Sequence, residues 1–225
     1  MAANVPVSKS KAYLVPVMMM IVMGLVLFLP AGSLKYWQGW LWWAIISAVT
    51  LFITTFFVQR DPGLLARRMQ VREKEPQPLL IMVLSILSMF SYLVPGFDYR
   101  FHWSSVPVGV VLAANVVVLA GYLFIFYVFQ ANSYASTIIQ VEEGQQVIST
   151  GPYALVRHPM YLGLLLMFLA TPLALGSYWA LILAVLFVPT IIFRIRQEEK
   201  ILRRDLPGYT SYSRNTRYRL VPLLW

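Results

Sequence analysis

The sequence predicts an all-α integral membrane protein with about six transmembrane helices, or five in the alternative count. Apolar stretches recur along the chain, and several approach or exceed the ~20 residues that a helix needs to cross a bilayer. The composition agrees, because 59% of the 225 residues are hydrophobic and only 12% are charged. The mean hydropathy is +0.68. Six spans leave no room for a separate soluble domain, so we predict one membrane domain over residues 1–225.

The predicted spans divide the chain into two parts. The four spans within residues 1–131 carry almost no ionisable groups in their apolar stretches. The last two spans are short and closely spaced, which predicts a C-terminal helical hairpin inside a more polar region at residues 132–225. The six predicted spans are residues 12–29, 37–58, 79–95, 106–129, 160–175 and 178–193.

The segments between and after the spans carry local signals of their own. Residues 59–78 form a charged loop, in which residues 63–71 are predicted to be a short amphipathic helix on the membrane surface. Two short extended runs are predicted within residues 137–150, around a turn at Gly144. A charged helix is expected at about residues 191–204, and Pro207 with Gly208 should end it.

Positive charge is concentrated on one side of the predicted membrane. The net charge is +9, which by itself could suggest a nucleic-acid partner. If the N-terminus is inside, sixteen of the eighteen lysines and arginines fall inside and only Lys35 and Arg100 fall outside. This distribution follows the positive-inside rule. It therefore predicts that both termini are cytoplasmic and that the basic residues attract anionic lipids rather than nucleic acid.

Two segments hold the polar residues that are suited to chemistry. The first is GPYALVRHPMYLG, residues 151–163, and the second is RIRQEEKILRRDLPGYTSY, residues 194–212. The predicted hairpin between the two segments crosses the membrane and returns, so both segments should meet at the cytoplasmic face. Arg194 and Glu198 are four residues apart and share a helix face, whereas Glu199 points about 100° away. The candidate site residues are Tyr153, Arg157, His158, Tyr161, Arg194, Glu198 and Glu199.

Several other chemistries lack the residues that they need. The chain has no cysteine, which excludes disulfides, thiol nucleophiles and iron–sulfur sites. It has no Gly-x-Gly sequence and no Walker loop, so the dinucleotide fingerprint is missing. Its two histidines fall on opposite sides of the predicted membrane, so we expect no metal site.

The two segments together resemble the C-terminal catalytic region of the integral-membrane methyltransferases typified by isoprenylcysteine carboxyl methyltransferase. Phospholipid N-methyltransferases share the pattern. The resemblance implies that residues 132–225 are a methyltransferase-like catalytic region with S-adenosylmethionine as cofactor. It places Arg194 and Glu198 near the reacting groups. The residues expected to form the cofactor pocket are Tyr153, Arg157, His158, Tyr161, Glu198 and Glu199.

The residue types suit this cofactor, which offers a carboxylate for arginine, an ammonium and ribose hydroxyls for glutamate, and an adenine for aromatic stacking. Its sulfonium is itself an electrophile, so the protein need only align it with a nucleophile and exclude water. The resemblance implies a lipidic, lipidated or small hydrophobic acceptor that arrives through the membrane, with isoprenylcysteine-type carboxylate methylation as the nearest example. Resemblance to bacterial members indicates a bacterial inner membrane.

Other interpretations stay open at the level of sequence. Membrane sterol reductases carry a similar HPxYxG segment, so a reductase with a nicotinamide cofactor is the first alternative. A non-catalytic membrane scaffold is the second. Arg157 and His158 could be interfacial residues that extend toward water, and Arg194 with Glu198 could be a surface ion pair of little energetic value. The sequence does not distinguish a carboxylate, an amine or a thiol as the methyl acceptor.

The charge distribution yields a test of topology. Because the chain has no native cysteine, single cysteines can be introduced at Lys35, Ser104, Gln77 and Ser213. A membrane-impermeant thiol reagent added from outside should label the cysteines at Lys35 and Ser104 and spare the other two. Labelling of all four from the same side would contradict the six-span threading.

Overall fold

The described residues, 8–69, 78–135, 141 and 144–225, fold into helices joined by short connections in the computed structural model. No strand occurs among them, which confirms the all-α class. In chain order the helices are α1 (Lys9–Ala31), α2 (Trp37–Arg60), α3 (Pro62–Arg68), α4 (Pro78–Phe101), α5 (Val108–Ala131), α6 (Pro152–Leu155), α7 (Pro159–Ala174), α8 (Trp179–Asp205) and α9 (Tyr209–Asn215).

Five of these helices are long and apolar enough to cross a membrane, namely α1, α2, α4, α5 and α8. Helix α7 is equally apolar but has only 16 residues. Many large apolar side chains on the long helices are exposed, among them Leu14, Leu25 and Val116. Exposed apolar surface of this extent marks contact with a membrane or a protein partner, and the length of these helices suits a bilayer. The fold is therefore an integral membrane bundle of five full-length helices with α7 as a shorter sixth.

Helix α4 extends further than predicted. The sequence placed the end of this span at Pro95, but α4 continues through Pro95 to Phe101. A proline is tolerated inside a membrane helix where neighbouring helices compensate the lost hydrogen bond. Here Gly96 brings α4 against α1 so closely that a Cβ at this position would lie 2.7 Å from the carbonyl oxygen of Leu27. Packing between helices therefore overrides the local signal.

The other local predictions have mixed outcomes. The last predicted span and the charged helix are one continuous helix, α8, which ends at Asp205 just before Pro207. The amphipathic helix is confirmed as α3, where the Asp61 side chain accepts from the backbone N–H of Leu64 at 2.9 Å. Its predicted last residues, 70–71, lie outside the described residues. Of the predicted extended runs, residues 137–140 and 142–143 also lie outside them, and residues 144–150 do not form a strand.

A buried carboxylate ties the helix ends together at the membrane face where α4 ends and α8 begins. Asp98 is 1% exposed and accepts from the backbone N–H and the hydroxyl of Ser104, each at 2.7 Å. It also accepts from the hydroxyl of Ser177, just before α8. Because these donors satisfy the buried charge, the arrangement fixes this end of α8, and the opposite end must then leave the membrane at the other face.

Helices α5 and α7 pack through two glycines. A Cβ on Gly121 would lie 3.1 Å from the backbone oxygen of Gly163, and one on Gly163 would lie 3.3 Å from the oxygen of Gly121. Small residues at such a crossing let helix backbones approach closely in a membrane. This contact places the start of α7, with its polar residues, beside the end of α5.

Replacement of Gly121 by alanine should destabilise the bundle. The added Cβ would lie 2.6 Å from Cγ of Met167 as well as against the backbone of Gly163, and overpacking of this kind costs roughly 1–3 kcal/mol. Gly109→Ala, on the same helix, is the control because a Cβ there has no atom within 4 Å. Thermal unfolding in detergent should show a lower midpoint for Gly121→Ala only. Equal midpoints for the two variants would contradict the close crossing.

Candidate active site

A cavity of about 850 Å³, including its open mouth, lies where α5 ends, α7 begins and α8 leaves the apolar region. Residues from α6, α9 and the segment before α6 complete its lining. The cavity therefore joins the two polar segments that the sequence singled out. The lining residues are Asn132, Tyr134, Ala135, Gln145, Gln146, Val147, Ile148, Tyr153, Arg157, His158, Pro159, Met160, Tyr161, Arg194, Glu198, Leu202, Leu206, Tyr209 and Tyr212.

The segment that enters α7 is held by the C-terminal tail, residues 216–225. Pro159 occupies the first turn of α7, where its missing N–H is not needed. The backbone N–H groups of Arg157 and His158 donate to the carbonyl oxygens of Tyr218 and Arg219, both at 2.9 Å. Neither N–H group takes part in a helical hydrogen bond. The tail therefore fixes the backbone of Arg157 and His158, and with it the direction of their side chains.

Glu199 is the ionic centre behind the cavity. Its Oε1 lies 2.9 Å from Nη1 of Arg157 and 3.4 Å from Nε2 of His158. Its Oε2 accepts from Nε of Arg219 at 3.0 Å, and Nη2 of Arg203 is 3.7 Å away. Glu199 is only 4% exposed. It supports Arg157 and His158 from behind rather than lining the cavity.

Tyr161 connects the two remaining charged residues of the predicted site. Its hydroxyl donates to Oε2 of Glu198 at 2.8 Å and accepts from Nε of Arg194 at 3.1 Å. Arg194 is 9% exposed, so a surface ion pair is not a good description of it. The hydroxyl thereby sets the positions of a guanidinium and a carboxylate on the same wall.

Tyrosines from α6 and α9 form another wall. The hydroxyl of Tyr153 accepts from Nδ2 of Asn132 at 3.0 Å, and the hydroxyl of Tyr212 donates to the backbone oxygen of Tyr153 at 2.8 Å. Burial raises the pKa of Tyr153 above its ordinary value, although the hydrogen bond from Asn132 opposes the change. Burial raises the pKa of Tyr212 to about 12. Both phenols are therefore neutral at physiological pH.

Two buried polar atoms of lining residues lack a hydrogen-bond partner among the described residues. They are Nε of Arg157 and the hydroxyl of Tyr209. These residues are 6% and 4% exposed. A buried polar group without a partner costs about 1–3 kcal/mol, so each of these atoms lowers the stability of the fold around the cavity.

The structure brings most of the predicted site residues to the cavity. Six of them line it, namely Tyr153, Arg157, His158, Tyr161, Arg194 and Glu198. Glu199 contacts Arg157 and His158 instead. Their roles in binding and catalysis stay predictions.

Sequence reasoning missed Asn132, Tyr209, Tyr212 and Arg219. The two tyrosines were visible as part of a tyrosine-rich tail, and their spacing of three residues indicates a shared helix face. No sequence signal pointed to Asn132 or Arg219, because their partners lie 20 or more residues away.

The fold and the cavity define an integral membrane protein with a polar and aromatic site at one membrane face. Residues 109–206 match the model of the phospholipid methyltransferase family, a segment that starts inside α5 and covers a little under half of the chain. The match confirms the resemblance to phospholipid N-methyltransferases and supports a membrane methyltransferase. No curated protein sequence matches the chain.

The contact between Arg219 and Glu199 yields a prediction on stability. Arg219→Gln should lower the free energy of unfolding by about 1–2 kcal/mol, because it removes a charge-assisted hydrogen bond from a residue that solvent partly screens. Arg217→Gln removes the same charge from an exposed position in the same tail and should change stability by less than about 0.5 kcal/mol. Denaturant titration in detergent checks both values. Equal losses would mean that net charge, not the Glu199 contact, decides stability.

Proposed function

We propose that the protein is a membrane methyltransferase that transfers a methyl group from S-adenosylmethionine to a lipidic or small hydrophobic acceptor. The observation that carries the proposal is the cavity at the membrane face, in which Tyr161 links Arg194 to Glu198. The phospholipid methyltransferase match covers α6, α7, α8 and nearly all of α5, which contribute to this cavity, but it does not reach α9. Isoprenylcysteine-type carboxylate methylation is the reaction that the sequence resemblance favours.

The lining of the cavity suits the proposed donor in its chemistry. This lining offers guanidinium groups, a carboxylate and tyrosine rings, which match the carboxylate, the ammonium with ribose hydroxyls, and the adenine of this donor. The residues proposed to hold the donor are Tyr153, Arg157, His158, Tyr161 and Glu198, with Glu199 as the support of Arg157 and His158. When bound, S-adenosylmethionine supplies an electrophilic sulfonium methyl group.

Arg194 and Glu198 are proposed to act on the acceptor side. The guanidinium orients an anionic acceptor through hydrogen bonds, and Tyr161 holds it in place. An acceptor carboxylate needs no base, whereas an amine acceptor would need Glu198 to remove a proton. The protein's contribution is to position the two reactants and keep water out.

The site face is proposed to be cytoplasmic, because the basic loops and tail lie at this end of the bundle. Both termini are then cytoplasmic. The proposed location is a bacterial inner membrane, whose anionic lipids attract the same basic residues.

Binding experiments test the donor. Calorimetry on detergent-purified protein should detect S-adenosylmethionine, and His158→Ala and Glu199→Ala should each weaken binding at least tenfold, about 1.4 kcal/mol. His102→Ala is the control, because this exposed histidine lies at the opposite face and its loss should leave the affinity unchanged. Binding of a nicotinamide cofactor with none of S-adenosylmethionine would instead favour the reductase, and binding of neither would favour the scaffold.

Turnover tests the acceptor side. Lipid extract is incubated with labelled donor, and the methylated product is identified by its mass. The compound from which that product forms is then the acceptor in the turnover assay. Arg194→Lys should lower turnover at least about tenfold, since lysine cannot reproduce the guanidinium geometry, while donor affinity stays within a few-fold. Arg196→Lys makes the same change at an exposed position two residues further along α8 and should turn over at the wild-type rate. Equal rates for the two variants would contradict the assigned role of Arg194.

A further inference from the structure

Residues 219–225 form a closed loop, the leucine loop, that is held by backbone hydrogen bonds. The N–H of Leu220 donates to the carbonyl oxygen of Trp225 at 3.0 Å, and the N–H of Trp225 donates to the carbonyl oxygen of Val221 at 3.1 Å. These bonds pin the two ends of the loop together. They leave residues 222–224 at its tip.

The tip of the leucine loop displays two large apolar side chains. Leu223 is 88% exposed and Leu224 is 83% exposed, and no other large apolar side chain of the described residues is exposed to this extent. Leu223 also has a positive φ of 68°, in the left-handed region that a bulky L-residue rarely adopts. The fold therefore holds two leucines away from its own core in an unfavourable backbone conformation. A contact outside the chain would account for both features.

The leucine loop lies at the level where α8 leaves the apolar part of the bundle. Leu220 is buried in a cluster with Ile191 and Ile195 of α8, and Trp225 packs against the same cluster. Arg194, between these two isoleucines, is the first charged residue of α8. A tryptophan at such a boundary is typical of the membrane–water interface, so the leucines are placed where they can reach lipid.

A bilayer fits the leucine loop better than a protein partner does. Arg214, in the helix just before the tail, is exposed, and Arg219 lies within the loop itself. Basic residues attract an anionic membrane surface. Shallow apolar side chains beside basic ones are the pattern of segments that bind at the membrane interface. Position, exposure and charge therefore point to the same partner.

The leucine loop is also tied to the candidate site. The N–H of His158 donates to the carbonyl oxygen of Arg219 at 2.9 Å. The side chain of Arg219 donates to Glu199 at 3.0 Å, and its Cζ lies 5.1 Å from the ring centroid of Trp225. A loop held at the bilayer would therefore keep Arg219 in place against both the backbone before α7 and the carboxylate on α8.

We propose that the leucine loop is an interfacial membrane anchor, in which Leu223 and Leu224 insert among the headgroups and upper acyl chains of the bilayer on the cavity side. The anchor holds the tail against the start of α7. It involves neither the methyl donor nor the acceptor, so it stands apart from the proposed function.

Lipid-dependent fluorescence quenching tests the anchor. Since the chain has no cysteine, Leu224→Cys can carry a single fluorophore, and Ser211→Cys, at an exposed position of α9, is the matched control. Both full-length variants are placed in nanodiscs of phosphatidylcholine and phosphatidylglycerol, with or without a nitroxide near the top of the acyl chain. The probe on Leu224→Cys should lose most of its emission to the lipid nitroxide, whereas the probe on Ser211→Cys should keep it.

Two results would overturn the anchor. One is emission from Leu224→Cys that resists the lipid nitroxide and is quenched by iodide from water, because the loop then faces water or a protein partner. The other is equal quenching of the two probes by the nitroxide. Leu223→Cys repeats the measurement at the neighbouring position. Thermal unfolding midpoints near the wild-type value establish that the labelled variants are folded.

Hydrogen exchange in the same nanodiscs tests the link between the anchor and the site. Leu223→Ser combined with Leu224→Ser removes the apolar tip. The amides of Arg157 and His158 should then exchange several-fold faster than in the wild type, because local opening of the tail exposes them. The amide of Ser104, bonded to a carboxylate at the opposite face, is the internal control and should keep its rate. An unchanged rate at Arg157 and His158 would show that the tail holds without the anchor and would overturn this link.

Discussion

The geometry of the site depends on one buried carboxylate, that of Glu199. Desolvation of a carboxylate costs several kcal/mol unless cations and hydrogen bonds compensate it. Arg157 and Arg219 each place a nitrogen within 3.0 Å of it, and His158 lies at 3.4 Å. These partners come from the segment before α7 and from the C-terminal tail. One charge on α8 therefore holds together three stretches of chain that are distant in sequence, and it determines where Arg157 and His158 can point.

The membrane bundle provides the frame in which this carboxylate can be buried. At the far face, Asp98 satisfies its charge with donors from Ser104 and Ser177 and fixes where α8 begins. The crossing of Gly121 and Gly163 fixes α7 against α5. Because α7 and the start of α8 are both fixed in the bundle, the polar residues at the start of α7 and in the second half of α8 lie at one level, near one membrane face. The cavity lies at that level.

The chemistry of the cavity is that of positioning. Its tyrosines are neutral at physiological pH, since the ordinary pKa of a phenol is about 10 and burial raises the pKa of Tyr153 and Tyr212 further. They therefore donate or accept hydrogen bonds without adding charge. Tyr161 spaces Arg194 from Glu198 through its hydroxyl. An electrophile that already carries a reactive methyl group needs orientation and dryness more than it needs a nucleophilic side chain. The described residues of the cavity offer fixed hydrogen-bonding groups, which serve orientation.

The sequence by itself determined the membrane class, the approximate spans and most residues of the site, because apolar length and local motifs are properties of short stretches of chain. It also gave Glu198 and Glu199 different directions, since neighbours on a helix differ by about 100°. Only the tertiary structure decided which of them lines the cavity. It also carried α4 through Pro95, and it brought Tyr209 and Arg219 to the site. Contacts of this kind join residues far apart in sequence, and their geometry is set by packing between helices, which no local pattern encodes.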